Sequence, residues 1–267
     1  MKIILILLIF IFSNISIAEI GIENTGLTGK MLVDKAVPNI LPIGDSITSG
    51  QSWSDYFGYR RKLQDRLGIY NYRFVGGKKG FGEPLTDTVY SRKHSGVSGD
   101  SSAQIYTRLL TDLTSYFPST ITTGSTVLIL SGTNDIRILG YGTAEATVVN
   151  TIADDPLTTA SMVGKIRDYN SNIRVYVGLI PPSTQSAGDV AAMQSFNNAL
   201  KARLDAVMPS FTNLHYVDFF TAFTDNASYA TEYLQDTLHP TLVGYNLMGD
   251  LWYLCMTSSS NHYCDGN

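Results

Sequence analysis

Charge is scarce in this sequence: Asp, Glu, Lys and Arg make up 16% of its 267 residues, and 19 basic residues set against 23 acidic ones leave a formal net charge of −4. No basic run or stripe is present, which excludes the electrostatic footprint of a nucleic-acid binder. Cysteine is nearly absent. The two that occur, Cys255 and Cys264, form no Cys-x-x-Cys and share no zinc-like spacing with histidine, so a structural metal is not expected. They can close one short loop near the C-terminus or remain free thiols. There is no internal repeat and no low-complexity tract, and no composition shift marks a domain boundary.

Long apolar runs are missing except at the N-terminus. There Lys2 precedes ten apolar residues from Ile3 to Phe12, a polar break at Ser13 and Asn14, and a small-residue end at Ser16-Ile17-Ala18. That order is the pattern of a signal peptide over residues 1–18. The run stops short of the roughly 20 apolar residues that a spanning helix needs, so no stable membrane anchor is expected. Residues 19–267 are then read as a single secreted domain, periplasmic or extracellular, long enough to bury roughly 70–75% of the surface that its unfolded chain exposes. Oligomeric state is not legible.

Five short runs rich in branched and aromatic residues read as buried strands: 39–44, 72–76, 126–131, 173–180 and 214–217. Helical spacing lies between them. Tyr56, Tyr59, Leu63 and Leu67 follow a possible Asp55 cap and end at Gly68. Ile105, Leu109 and Leu113 repeat the pattern up to Pro118. Met193, Phe196, Leu200, Leu204 and Val207 run to Pro209, and Leu247, Leu251 and Leu254 mark a final helix. Strand and helix in alternation predict an α/β fold of three layers, a parallel sheet covered on both faces. Stretches 76–99 and 140–159 read as long loops, the second with a short helix. In such sheets ligands bind beyond the carboxyl ends of the strands, and the residues that follow each strand are the ones to inspect.

Ser46 stands at one such end, where Asn39-Ile40-Leu41-Pro42-Ile43 runs into Gly44-Asp45-Ser46. A serine is a weak nucleophile until a base takes its proton, and a histidine base needs a carboxylate to orient it. Asp236-Thr237-Leu238-His239 supplies both, because a spacing of three puts Asp236 and His239 on one side of a helical turn or tight loop. Acyl transfer also requires donors for an oxyanion. Asn134 follows the strand 126–131, and the loop His94-Ser95-Gly96-Val97-Ser98-Gly99 offers a glycine N–H at the start of the next helix.

These blocks resemble the SGNH hydrolases, also called GDSL-type esterases: Gly44-Asp45-Ser46-Ile47-Thr48 is similar to the nucleophile block, Ser98 to Ser102 to the glycine block, Gly132-Thr133-Asn134-Asp135 to the asparagine block, and Asp236 to Pro240 to the histidine block. The resemblance implies a flavodoxin-like, five-stranded parallel sheet. It implies a serine esterase acting on an ester or thioester without metal or other cofactor, with Ser46, His239 and Asp236 as catalytic residues and an oxyanion hole of the Ser46 N–H, the Gly99 N–H and the Asn134 amide. Ile40-Leu41-Pro42-Ile43-Gly44-Asp45-Ser46-Ile47-Thr48, Gly58-Tyr59-Arg60 and Phe74-Val75-Gly76 resemble more narrowly the family 3 carbohydrate esterases, secreted acetylxylan esterases. That likeness implies an O-acetylated polysaccharide such as xylan as substrate. Where that family carries Pro-Gly-Trp this chain has Ser98-Gly99-Asp100, closer to thioesterases and lysophospholipases, so a small-molecule, lipid or thioester substrate stands as the rival. A non-catalytic glycan-binding module is the rival of another class.

Several residues carry competing readings. A second Gly-Asp-Ser at 99–101 follows no hydrophobic strand, and Asp100 or Ser101 is better read as a helix N-cap. Gly96 competes with Gly99 for the oxyanion role, since either suits a turn at positive φ. Asp45 and Asp135 read as caps. His94 reads as a loop or packing histidine, His215 as a hydrogen-bonded core residue, and His262 as a tail residue without a role. Trp53, Tyr56 and Tyr59 suit a sugar-stacking wall, although core packing explains Tyr56 and Tyr59 better. Asn226-Ala227-Ser228 is a glycosylation acceptor pattern.

Overall fold

The computed structural model describes residues 37–51, 56–78, 89–117, 124–139, 145–186, 188–258 and 261–265, all within one compact unit, Ala36–Asn267. Residues 1–18, Trp53, Asp55 and Pro118 lie outside the described residues.

Along the chain run β1 (Asn39–Gly44), α1 (Ser46–Ser49), α2 (Tyr59–Leu67), β2 (Arg73–Phe74), β3 (Ser95–Gly96), α3 (Ser102–Tyr116), β4 (Thr126–Leu130), α4 (Thr133–Leu139), α5 (Glu145–Ile152), α6 (Met162–Tyr169), β5 (Arg174–Leu179), α7 (Asp189–Val207), β6 (Leu214–Asp218), α8 (Phe219–Thr224), α9 (Tyr229–Glu232) and α10 (Leu242–Thr257). The strands form one parallel sheet in the order β2-β1-β4-β5-β6, with β3 also on β1. Every residue of β1 and β4 is buried, as expected where helices cover both faces of a parallel sheet. On one side α2 packs against α10; elsewhere α3 packs against α5 and α6, and α5 against α7.

The outer edge of β1 is shared by two short strands. Its first half pairs with β2, Asn39 opposite Arg73, and its last two residues pair with β3, Ile43 opposite Ser95 and Gly44 opposite Gly96. The stretch 76–99, read from the sequence as loop, thus contains a strand that reaches the same end of the sheet as Ser46. The helix expected around Tyr56 begins later, at Tyr59 with Gly58 as N-cap; Tyr56 itself has φ 52° and stands outside it.

At the far edge, β6 is covered by the C-terminal tail. Cys255 and Cys264 form a disulfide, Cys264 bridges Val217, and the Asp218 N–H donates to the Tyr263 carbonyl at 2.8 Å. His215 is at this edge and not in the core: it keeps 21% of its side-chain exposure, stacks on Tyr176, and its Nδ1 lies 2.8 Å from Asp265 Oδ2. Edge position explains the difference, since β6 has a neighbouring strand on one side only.

Candidate active site

Ser46 is the first residue of α1, directly beyond β1, and is 5% exposed. Asp45 caps this short helix, its Oδ1 accepting the Ile47 N–H at 2.9 Å. Gly50, at φ 82°, ends it and returns its N–H to the Ile47 and Ser46 carbonyls, a conformation that glycine adopts without steric cost. Arg60, fully buried on α2, donates to the Thr48 carbonyl and, at 2.8 Å, to that of Tyr56. Tyr59 is equally buried, its hydroxyl 3.4 Å from Thr48 Oγ1, and belongs to the packing beneath α1 and not to a sugar-stacking wall; Tyr56 is half-buried.

The segment before α10 brings His239 over this turn. Its Nε2 lies 2.9 Å from Ser46 Oγ, and its Nδ1 lies 2.8 Å from Asp236 Oδ2. Asp236 Oδ1 also accepts the His239 N–H at 2.7 Å. With Nδ1 donating its proton to the carboxylate, the Nε2 lone pair faces the serine hydroxyl. The Asp236–His239 turn is a tight loop and not a helical turn, because Thr237 stands at φ 69°, a costly conformation for a β-branched residue. Flanking bonds hold it there: the Gln235 N–H donates to the His239 carbonyl and the Thr184 N–H to the Thr237 carbonyl, each at 2.8 Å. Asp236 is 47% exposed at its side chain, and His239 only 11%.

Asn134, on the first turn of α4 and 4% exposed, donates one amide N–H to the Asp100 carbonyl at 3.0 Å. Among the described residues the amide makes this one hydrogen bond through its nitrogen. Gly99 precedes Asp100 at φ 84°, with open space where a Cβ would stand, so conformation and not crowding calls for glycine. The Gly96 N–H is engaged by His94 Nδ1 at 2.9 Å, which removes it as a donor to substrate. Ser101, from the second Gly-Asp-Ser, caps α3, its N–H donating to the Gln104 side chain at 2.9 Å.

Two arginines without an assigned role in the sequence reading connect these blocks. Arg108 on α3 pairs with Asp100 and donates to the Gly44 carbonyl at 2.8 Å and the Ser95 carbonyl at 2.7 Å, tying the ends of β1 and β3 to the glycine block. Arg60 clamps the carbonyl end of α1. Sequence periodicity reads an arginine on a helix as solvated, and only the motif Gly58-Tyr59-Arg60 pointed to either of them.

Two buried groups near the site are displaced from their ordinary ionisation. Burial, with the Ile47 N–H opposing it and the nearby Asp135 carboxylate adding to it, pushes the Asp45 carboxyl up to about 7. Burial, aided by the Arg60, Lys78 and Arg108 charges, pushes His94 down to about 2 and keeps it neutral. Asp135 caps α3 and not its own helix: its carboxylate accepts the Ser102 N–H at 2.9 Å and the Ser102 hydroxyl at 2.9 Å. His262 is largely exposed, 3.9 Å from Asp225, and Asn226 donates to Glu232 at 2.8 Å. Among the described residues no cluster of three or more His, Cys, Asp or Glu is disposed to hold a metal ion, and no helix is long and apolar enough to cross a membrane.

The sequence matches the model of the GDSL-like lipase/acylhydrolase family over residues 43–247. A comparison with curated protein sequences found no match. Among solved structures, the chain is similar to a family 3 carbohydrate esterase of Clostridium thermocellum (TM-score 0.62, 20% identity, 81% of this chain and 94% of that one). It is similar also to a carbohydrate esterase of family 3 from Talaromyces cellulolyticus (0.60, 18%, 81% and 95%) and to the lipase/acylhydrolase of Enterococcus faecalis (0.54, 21%, 81% and 94%). These likenesses share the three-layer fold. The family match spans most of the chain and takes in the turns of Ser46, Gly99, Asn134 and His239: the protein belongs to the GDSL-like lipase/acylhydrolase family and is a carboxylic ester hydrolase.

Proposed function

We propose that the chain removes O-acetyl groups from a polysaccharide such as xylan by an acyl-enzyme mechanism centred on Ser46. The observation that carries the mechanism is the run of two short contacts, Ser46 Oγ to His239 Nε2 at 2.9 Å and His239 Nδ1 to Asp236 Oδ2 at 2.8 Å. Ser46 Oγ attacks the ester carbonyl carbon while its proton passes to His239 Nε2, and Asp236 stabilises the imidazolium. The Ser46 N–H, the Gly99 N–H and the second Asn134 N–H hold the oxyanion. Collapse breaks the bond to the sugar oxygen, which takes the proton from His239. Water then attacks the acyl-enzyme, gives one proton to His239, and releases acetate as Ser46 recovers its proton.

The acetylated-polysaccharide substrate is supported by the Ile40 to Thr48 and Gly58-Tyr59-Arg60 motifs and by the fold shared with two family 3 carbohydrate esterases. Residues 1–18 act as a secretion signal and 19–267 as one hydrolase domain in an oxidising compartment, which suits the Cys255–Cys264 disulfide. Ser98-Gly99-Asp100 favours the second reading, a lipid or thioester acyl group. Turnover of acetylated xylan and of p-nitrophenyl acetate, octanoate and palmitate separates them: preference for acetate with release of acetate from xylan is expected, and faster turnover of the long chains overturns the polysaccharide assignment. Ser46→Ala, with the fold retained, should lower kcat by about 10⁴-fold or more.

A further inference from the structure

Each of two oxyanion donors sits next in sequence to a buried acid. Asp45 precedes Ser46, and Asp135 follows Asn134; their side chains are 1% and 3% exposed. They follow the ends of two paired strands, Gly44 of β1 lying opposite Leu130 of β4, and the charge of Asp135 adds to the rise of the Asp45 carboxyl. Their partners differ. Asp135 takes the N–H and the hydroxyl of Ser102, donors that suit an anion and oppose the rise that burial imposes on its carboxyl. Asp45 has the Ile47 N–H on Oδ1, while its Oδ2 is buried without a hydrogen-bond partner. The buried Thr133 hydroxyl, which makes no hydrogen bond of good geometry, lies near the Asp45 carboxyl and opposes its rise by favouring the anion.

We propose that Asp45 is a positioning residue for the oxyanion donors: as a neutral acid it lets the turn carrying the Ser46 N–H pack against the turn carrying the Asn134 amide, and as an anion facing Asp135 it drives the two turns apart. The inference rests on the assignment of Ser46 and Asn134 made above. Two like charges in a buried setting repel strongly because little water screens them, and donors misplaced by a fraction of an ångström lose much of their effect on a developing oxyanion. The charged and titratable groups around Asp45 include Asp135 of α4, Arg108 of α3, and Tyr59 of α2 and Tyr245 of α10, on both of which Asp45 and the buried Arg60 act with opposite sign. Of the two cations, Arg108 is paired with Asp100, and Arg60 donates to the Thr48 and Tyr56 carbonyls. Burial and Asp135 together keep the Asp45 proton on up to about pH 7.

The test is the pH dependence of kcat for p-nitrophenyl acetate in the wild type and in Asp45→Asn, whose amide is neutral at every pH and reproduces the donor of a protonated acid. The wild-type kcat should fall at least fivefold as pH rises from about 6.5 to about 8.5, with KM changed less than twofold; Asp45→Asn should keep at least a third of the wild-type kcat at about pH 6 and show no such fall. A flat wild-type profile over that range, or a fall that Asp45→Asn leaves in place, overturns the proposal. Infrared difference spectra of the wild type guard against a variant that does not fold: a protonated-carboxyl band lost between about pH 6 and pH 8 supports it, and no such band overturns it. A Ser46→Ala variant with turnover intact removes the site assignment instead, and is seen separately from either result.

Discussion

The Asn134 amide and the Asp100 carbonyl are joined by a hydrogen bond of 3.0 Å, so the asparagine block and the glycine block hold one another in register. One N–H of the amide fixes the Gly99-Asp100 turn, and the other is the proposed donor to the oxyanion. Asn134→Ala should therefore do more than delete a donor, since it also releases the peptide that carries the Gly99 N–H. We expect kcat for p-nitrophenyl acetate to fall by about 10²- to 10³-fold with KM little changed. A variant within threefold of the wild type would remove Asn134 from the site.

Asp236 is expected to matter less than the two groups it supports. Its carboxylate orients His239 through Nδ1 and also braces the loop through the His239 N–H, yet nearly half of its side chain meets solvent. Water can partly replace it. Asp236→Ala should lower kcat by about 10²- to 10⁴-fold, a smaller loss than Ser46→Ala. Equal losses in the two variants, each with its fold intact by circular dichroism, would show that Asp236 does more than orient and stabilise the imidazole.

The sheet and its long helices were legible because their apolar residues recur at the periods that burial imposes. Leu109 and Leu113 on α3, and Phe196, Leu200 and Leu204 on α7, are fully buried at the spacing that predicted them. Shorter elements leave no such trace. β3 is Ser95–Gly96, two residues without a branched side chain, and is a strand only because Ile43 and Gly44 lie beside it. α8 begins Phe219-Phe220 directly after β6, and continuous apolar residues fit strand or helix alike. The motif blocks named the residues that make the Ser46–His239–Asp236 contacts and the Asn134–Asp100 bond. They could not name Arg60 or Arg108, whose work is to bond backbone carbonyls, and a carbonyl has no residue type to read.

The tail offers a test of stability separate from chemistry. The Cys255–Cys264 link spans nine positions and holds residues 263–265 along β6 through the Asp218 N–H and Asp265. Removing a loop of this size from a disulfide constraint costs about 2.5 kcal/mol in the chain-entropy model, and an uncovered edge strand invites pairing with another chain. Cys255→Ser with Cys264→Ser should lower Tm in a melting experiment and raise self-association in light scattering, while turnover per folded molecule stays unchanged. A double variant with the wild-type Tm would show that the tail bonds suffice without the link.

Stability against acid is set in part by His94, and its sign follows from burial. Buried and neutral, it gains a proton only near pH 2 in the folded protein, against 6.5 for an ordinary histidine. The unfolded chain thus binds one more proton than the folded chain between those values, and stability falls by about 1.4 kcal/mol for each pH unit below about 6.5. Asp45 acts oppositely. Its carboxyl is raised from 3.8 to about 7, so the folded chain holds the extra proton, and the stability this gives at acid pH is lost as pH rises from about 4 to about 7. Between about pH 4 and 6.5 the two slopes largely cancel. Asp45→Asn removes one of them and should leave unfolding free energy, measured by urea titration, rising with pH by about 1.4 kcal/mol per unit more steeply than in the wild type across that window. Parallel curves for the two proteins would mean that Asp45 is ionised in the folded state well below pH 7.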